Sequence, residues 1–437
     1  MHQFMKVKGV EFMKKWLQVL VTLVFAICSM VLINAQGVEA ADKITSTDGQ
    51  WEYEADYFNN TCTVRAYMGD AVDLVIPSKI DGLTVTKIET GWDKVWGEYD
   101  GLPKNIVSVS IPSTVSVIGR HSFYGLKNLR DVNLPSKLEE IGSCAFYECE
   151  SLEDIRIPKS VSYIDVHAFA YSGIKKLVIE GNPEFMISGG GACFMHCKNL
   201  EYVSMPEYKG GYGVEPLFHD CTSLKEVNMP KVQVIPQRCF LDCQSLEKIK
   251  LPSCLKGIGA SAFKGTSLKN VDLPDTLNSL GQYAFSGTKL SSLVIPYGVS
   301  DVVYVGDLSN IDIYVLNPEC QVDYVSQTCT IYGFKDSEAY ECAKRGGIRF
   351  VQLKGISSVK ASKKGNASVF SWKKVSGVKS YTIFRYNYKK ESYQKIATTK
   401  KKKYTDKSKS ASNKYMITYQ FKQNGKTLTG GFPVSIY

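Results

Sequence analysis

Three residues able to do metal or nucleophilic chemistry recur at one offset in this chain. His121, Cys144 and His167 each stand two residues before a phenylalanine, at Phe123, Phe146 and Phe169. If the offset is structural, they form one column with steps of about 5 Å, the distance between paired strands. Two imidazoles and a thiol so placed would suit a zinc site, or a Cys-His pair for nucleophilic catalysis. The same slot elsewhere holds Ala192, Pro216, Arg238, Ser261 and Tyr283. It accepts almost any residue, and no carboxylate or further base is specified. A metalloprotein or hydrolytic enzyme on this column is therefore the alternative reading, and no catalytic residue, metal ligand or cofactor is assigned. There is no G-x-S-x-G, H-E-x-x-H, phosphate-loop lysine motif or C-x-x-C pair, the short patterns that would place such chemistry.

The offset itself carries more information than the residues that fill it. Phenylalanines fall at 123, 146, 169, 194, 218, 240, 263 and 285, and prolines at 112, 135, 158, 206, 230, 252, 274 and 296. The stretch from Leu129 to Ser151, LRDVNLPSKLEEIGSCAFYECES, returns closely from Leu152, Leu246 and Leu268 and incompletely from Ile106, Ile174, Leu200, Leu224 and Leu290. A period of twenty-odd residues is that of a leucine-rich solenoid, whose units cannot bury their apolar faces alone. L-x-x-V-x-L reads as a short strand with its apolar residues turned inward, ended by the proline. Ile-Gly and Ala-Phe build the return side, the glycine read as permitting a tight bend. Small residues precede seven of the eight phenylalanines: Ser122, Ala145, Ala168, Cys193, Cys239, Ala262 and Ala284.

The pattern LPxxLxxIGxxAFxxC resembles the BspA-type leucine-rich repeats of bacterial surface proteins, over about Leu74 to Leu353. The resemblance implies a secreted or surface-exposed binding protein, adhesin-like, in a family that includes adhesins for host matrix proteins. The expected fold is mainly β, a solenoid with a parallel sheet, followed by a small β-sandwich.

In such a coil the third and fifth positions of L-x-x-V-x-L point away from the core. They give a polar strip, among it Asp131, Asp154, Arg156 and Tyr202, which are candidate ligand contacts, and run on to Ser292 and Val294. Asp154 beside Lys176 and Glu226 beside Lys248 are expected cross-strand pairs. A solvated face would explain the strip equally. Further candidates lie in insertions: Trp92, Trp96 and Tyr99 in one, Tyr208 and Tyr212 among the glycines of another. The tryptophans could anchor a protein or sugar, or one could replace the phenylalanine of its coil.

Residues 1–40 read as a signal peptide, with Lys6, Lys8, Lys14 and Lys15 before an apolar run and Val38-Glu39-Ala40 before the expected cut. An uncleaved anchor is the alternative; no membrane span is expected after cleavage. Residues 41–353 are assigned to the solenoid, with Trp51 to Pro77 a capping hairpin and Ile331 to Leu353 a closing helix and strand. Residues 354–437 are assigned to the sandwich, where FSWKKVSGVKSYTIFRY resembles fibronectin type III domains of secreted bacterial proteins.

Charge divides the chain. The net +10 conceals a segment from Gly355 to Tyr437 in which 18 lysines and Arg385 face only Glu391 and Asp406, a balance of +17. The solenoid is acidic. With export expected, the basic module suits an anionic cell-wall polymer better than nucleic acid, and Lys400, Lys401, Lys402 and Lys403 are its polyanion candidates. The partners expected are thus an extracellular protein or glycan and an anionic wall polymer; a purely structural surface spacer stays open beside them. Of 13 cysteines, several fall on repeat slots and read mostly as free buried thiols that pack as small hydrophobes.

Overall fold

The computed structural model describes residues 43–91, 101–181, 184–185, 192–206, 216–302, 304, 308–356, 358–389, 392–408 and 413–436. Trp92, Trp96, Tyr99, Tyr208 and Tyr212 lie outside these.

The repeat becomes a parallel β-solenoid of about eleven turns. Its open sheet is made of the L-x-x-V-x-L segments. Strands Asp73–Val75, Ser108–Ser110 and Asp131–Val132 pair in parallel, then Asp154–Ile157, Lys176–Ile179, Tyr202–Ser204 and Glu226–Asn228, and finally Ser292–Ile295, Asp312–Val315, Thr330–Gly333 and Arg349–Gln352. On the return side, two-residue strands such as Val117–Ile118, Glu140–Ile141 and Tyr163–Ile164 form a second parallel ladder. Between the two runs the phenylalanine row. From Phe123 to Phe285 all eight rings are at most 1% exposed, each stacked on the next at 4.9–5.7 Å between centroids. A ring in one coil is covered by the rings of its neighbours, which is why no coil is stable alone.

The glycine of Ile-Gly has a different role from the bend expected. Gly142, Gly259 and Gly281 do not adopt positive φ; a Cβ there would lie 2.3–2.7 Å from the backbone of the preceding coil. Close approach of coils excludes a side chain. The bends are made elsewhere, by left-handed residues two before and two after the phenylalanine. His121, Cys144, His167, Arg238, Ser261 and Tyr283 have φ of 53–58°. After the ring come Glu148, Tyr171, His196, Asp220 and Asp242 at 56–59°, with Gly125, Gly265 and Gly287 in the remaining coils. Each non-glycine there costs roughly 1–2 kcal/mol of backbone strain, offset by the packing of the coil.

The slot three residues after the ring is a hydrogen-bonding position. Cys149, Cys197, Cys221 and Cys243 each donate from Sγ to the phenylalanine carbonyl one coil earlier, at 3.1–3.2 Å. All twelve described cysteines are free thiols, ten of them buried.

Both solenoid ends are closed. The hairpin Trp51–Asp56 with Thr61–Tyr67 turns through Asn60 at φ 55° and joins the return ladder by parallel pairing to Leu83–Ile88. Inside it Arg65 is 8% exposed and bridges Glu54 at 2.6 Å and Glu89 at 2.8 Å. At the other end the helix Glu338–Gly346 is capped by Ser337, whose side chain accepts from Tyr340 N, and stopped by Gly347 at φ 62°. Strand Arg349–Gln352 then closes the open sheet.

After it comes a two-sheet sandwich. Val359–Lys364, Ala367–Trp372 and Lys403–Asp406 form one antiparallel sheet. Ser392–Thr399, Tyr381–Asn387, Lys414–Gln423 and Lys426–Ser435 form the other, in that order. Its core does not stop at its own strands. Tyr314, Leu316, Tyr332 and Phe334 of the solenoid are buried in one cluster with Phe370, Trp372, Tyr381 and Tyr419.

Candidate functional site

The outward positions of the open sheet line up as the strand register dictates. Asp73, Ser108 and Asp131 form one row; Asp154, Lys176, Tyr202 and Glu226 form its continuation across the next sheet. Arg156, Val178, Ser204 and Asn228 run alongside. Asp131, Asp154 and Arg156 are exposed and Tyr202 is half-buried, so these four candidates share one face. The row is acidic at its N-terminal end, where Ser108 Oγ donates to Asp73 at 2.6 Å. Lys176 does not pair with Asp154. Its ammonium lies 5.8 Å from the Tyr202 ring centroid, a cation–π contact that leaves Asp154 open to solvent. Arg156 is held by Glu180 at 2.6 Å.

The expected ion pairs are displaced by one residue. Glu153–Lys175, Glu201–Lys225 and Glu247–Lys269 pair coil to coil at 2.7–3.1 Å, all from the second position of the strand motif. That position sits at the strand entrance, where long side chains lie along the solenoid edge. The alternation of signs there was legible in the sequence; which position faces its neighbour was not.

Downstream the strip is covered. Tyr314 and Tyr332 stack at 4.3 Å beneath the sandwich, Asn424 Nδ2 donates to Tyr314 Oη at 3.2 Å, and the Lys426 ammonium both lies 5.2 Å from the Tyr314 centroid and donates to Ser292 Oγ. Tyr297 packs against Gly431, where a Cβ would come within 2.4 Å of its own Cβ. Ser292 and Val294, expected on the free strip, are therefore part of an interface. Lys400, Lys401, Lys402 and Lys403 stand together and exposed at the turn into Lys403–Asp406, with Lys402 O accepting from Trp372 N at 3.0 Å.

The column of His121, Cys144 and His167 is brought together in sequence register but not as a site. The His121 ring is edge-on to Tyr124 at 5.5 Å and His167 edge-on to Tyr147 at 6.4 Å. Burial, with Arg120 adding to it, pushes His121 down to about 4, and burial pushes the Cys144 thiol up. A raised thiol runs against the depressed one that a thiolate nucleophile calls for. Among the described residues no group of three His, Cys, Asp or Glu side chains is placed to hold a metal ion. Sequence reasoning also missed an aromatic stack on the return side, Tyr124, Tyr147, Tyr171, His196 and His219 at 4.6–5.5 Å, although rings recur one or two residues after the phenylalanine.

The model for the BspA type leucine-rich repeat region matches residues 101–213 and 214–327, six copies covering just over half of the chain. The chain belongs to the BspA-type leucine-rich repeat family. Solved structures similar to this BspA-type chain include a leucine-rich repeat protein from Bacteroides ovatus, 19% identical, covering 70% of this chain and 98% of its own, with a TM-score of 0.46. A leucine-rich cell surface protein from Faecalibacterium prausnitzii is 22% identical over 66% of this chain and 79% of its own, TM-score 0.34. The pneumococcal vaccine antigen PcpA is 20% identical over 72% and 99%, TM-score 0.40. No curated protein matches the chain. Among the described residues no helix is long and apolar enough to cross a membrane.

Proposed function

We propose that this protein is a secreted or cell-surface binding protein without enzymatic activity, adhesin-like, exported by its first 40 residues. The carrying observation is the uncovered row Asp131, Asp154, Lys176, Tyr202 and Glu226: one polar face, aligned by sheet register, with an aromatic ring at its centre. Solenoid sheets offer area instead of a pocket, which suits a macromolecular ligand. The ligand is an extracellular protein, and Trp92, Trp96, Tyr99, Tyr208 and Tyr212 are further candidate contacts for it. The sandwich is a fibronectin type III-like module; its three-plus-four strand order supports that reading. Its charge, with Lys400 to Lys403, associates with an anionic wall polymer.

The test uses the full chain, because the sandwich shares buried residues with the solenoid. Immobilised purified extracellular matrix proteins should show at least one saturable interaction, weakened tenfold or more by Asp154→Lys with Tyr202→Ala. No saturable binding to any of them would make the chain a spacer. For the module, molar salt should release the protein from cells, since screening shortens electrostatic reach to about 3 Å; retention after that wash would refute tethering by charge.

A further inference from the structure

Among the described residues of the sandwich the core rings are buried, Phe384, Tyr386, Tyr404 and Phe432 are half-buried, and two tyrosines are exposed. Phe370, Trp372, Tyr381, Tyr415 and Tyr419 are buried, whereas Tyr388 is 52% and Tyr393 39% exposed. Both stand edge-on to Tyr386, at 5.1 and 5.2 Å between centroids. Strand register builds the corner: Tyr386 lies opposite Tyr393 across one ladder, and Lys414 approaches from the strand on the other side, its ammonium 5.9 Å from the Tyr386 centroid. Leaving tyrosine rings in water forgoes their apolar burial, so a cluster of them on a folded surface marks a place where something else covers them.

The rim is made of amides and cations. Tyr388 donates to Asn413 Oδ1 at 2.6 Å, and Asn387 Nδ2 donates to Gln394 Oε1 at 3.3 Å. Lys389, in the turn after Asn387, and Lys395, on the strand Ser392–Thr399, are exposed. Burial, with Tyr386 and the Glu319 carboxylate of the solenoid adding to it, raises the Tyr393 hydroxyl. Rings with apolar faces, amides that both donate and accept, and a surplus of ammonium groups match a polymer of hydroxyls, C–H faces and anionic substituents. A protein epitope would call for a larger apolar area, and a nucleic-acid strand for parallel ring faces on which bases stack in series; these rings stand nearly perpendicular.

We propose that the Tyr386, Tyr388 and Tyr393 corner, with Lys414 beside it, binds an anionic polysaccharide. The inference rests on the reading of the basic module as a polyanion-associating one and deepens it: the sugar rings stack on tyrosine, the amides read hydroxyls, and the lysines pair the acidic groups. Recognition then resides in this corner, while Lys400 to Lys403 contribute charge alone.

The experiment measures binding of the full chain to polygalacturonate, with neutral dextran and a thirty-residue oligothymidylate as comparators, across a salt series. Polygalacturonate should bind more tightly than either comparator. The Tyr388→Ala/Tyr393→Ala variant should lose at least tenfold at every salt concentration with the salt slope unchanged, since the slope counts cations and not rings. Replacing Lys400 to Lys403 by Gln should flatten the slope. Should the double variant fold poorly by near-ultraviolet circular dichroism, Tyr393→Ala alone should lose at least threefold. Wild-type affinity in the tyrosine variants, with loss in the lysine variant, overturns the aromatic site and leaves charge association standing. No binding of polygalacturonate by the wild type overturns both. Tighter binding of the oligothymidylate overturns the polysaccharide assignment.

Discussion

Phe169→Ala tests the physical basis of the solenoid most directly. The ring is fully buried and stacks on Phe146 at 4.9 Å and on Phe194 at 5.3 Å. Truncation removes the transfer free energy of the ring and leaves a cavity that the backbone cannot close, because Phe169 N and Cys193 O keep the coils in register at 2.8 Å. Such a change costs about 3–5 kcal/mol, and the two lost stacking contacts add roughly 0.5–1.5 kcal/mol each. A local loss of about 4–8 kcal/mol results. Since each coil touches only its neighbours, the deficit falls on one pair of interfaces and should uncouple the coils on either side. Urea unfolding followed by tyrosine fluorescence should split from one transition into two. Hydrogen exchange should show Asp154–Ile157 and Lys176–Ile179 opening before the strands at either end. Phe58→Ala, at a position 96% exposed in the hairpin turn, is the control and should change stability by at most about 0.5 kcal/mol. A Phe169→Ala protein that unfolds in one transition with a loss below about 1 kcal/mol would refute the stacked-row account.

Other expectations follow from the same geometry. In native protein at pH 8, N-ethylmaleimide should label Cys144 and Cys254 first, the two half-buried thiols. The ten buried ones should react only on unfolding, because burial raises thiols such as Cys149 and Cys243 well above their ordinary range; intact mass spectrometry counts them. Stability should fall with acidification between about pH 6.5 and about pH 4. Burial lowers His121 to about 4 and also lowers His167 and His219; an unfolded imidazole near 6.5 takes up its proton first, so the stabilisation is complete above 6.5 and lost below. For His121 that amounts to about 1–2 kcal/mol after discounting for its partial exposure. His121→Asn, which tolerates the left-handed backbone, should remove that part of the slope in urea midpoints at pH 7.5 and 4.5. Gly431→Val should force the sandwich away from Tyr297, at a cost of roughly 1–3 kcal/mol. Hydrogen exchange at Asp312–Val315 and Thr330–Gly333 should rise; unchanged protection there would show that the module docks differently.

The outward face of the sheet was legible because a repeat supplies its own context. Every copy of L-x-x-V-x-L faces another copy, so alternation along one strand told which side chains of Asp131, Asp154, Arg156 and Tyr202 leave the core. The closing helix and strand between Ile331 and Leu353 were readable from local sequence, and the structure places the cap at Ser337 and the stop at Gly347. For His121, Cys144 and His167 the shared offset has a structural cause of its own. Their shared slot is a left-handed bend, and residues of any type sit there if the coil packs well enough to offset the strain. Gly142 and Gly259 were read as bends when they are points of contact between coils. Period and sign cannot separate those two uses of glycine.

The sequence by itself determined the period, the buried ring in each coil and the polar side of the sheet, because each depends on residues a few positions apart and on an identical neighbour. Only the tertiary structure decided that Tyr314 and Tyr332 are covered, that Lys176 turns to Tyr202 instead of Asp154, and that Tyr386, Tyr388 and Tyr393 meet at one corner. These contacts join unlike surfaces distant in the chain or set rotamers against several neighbours at once, and no periodic pattern encodes either.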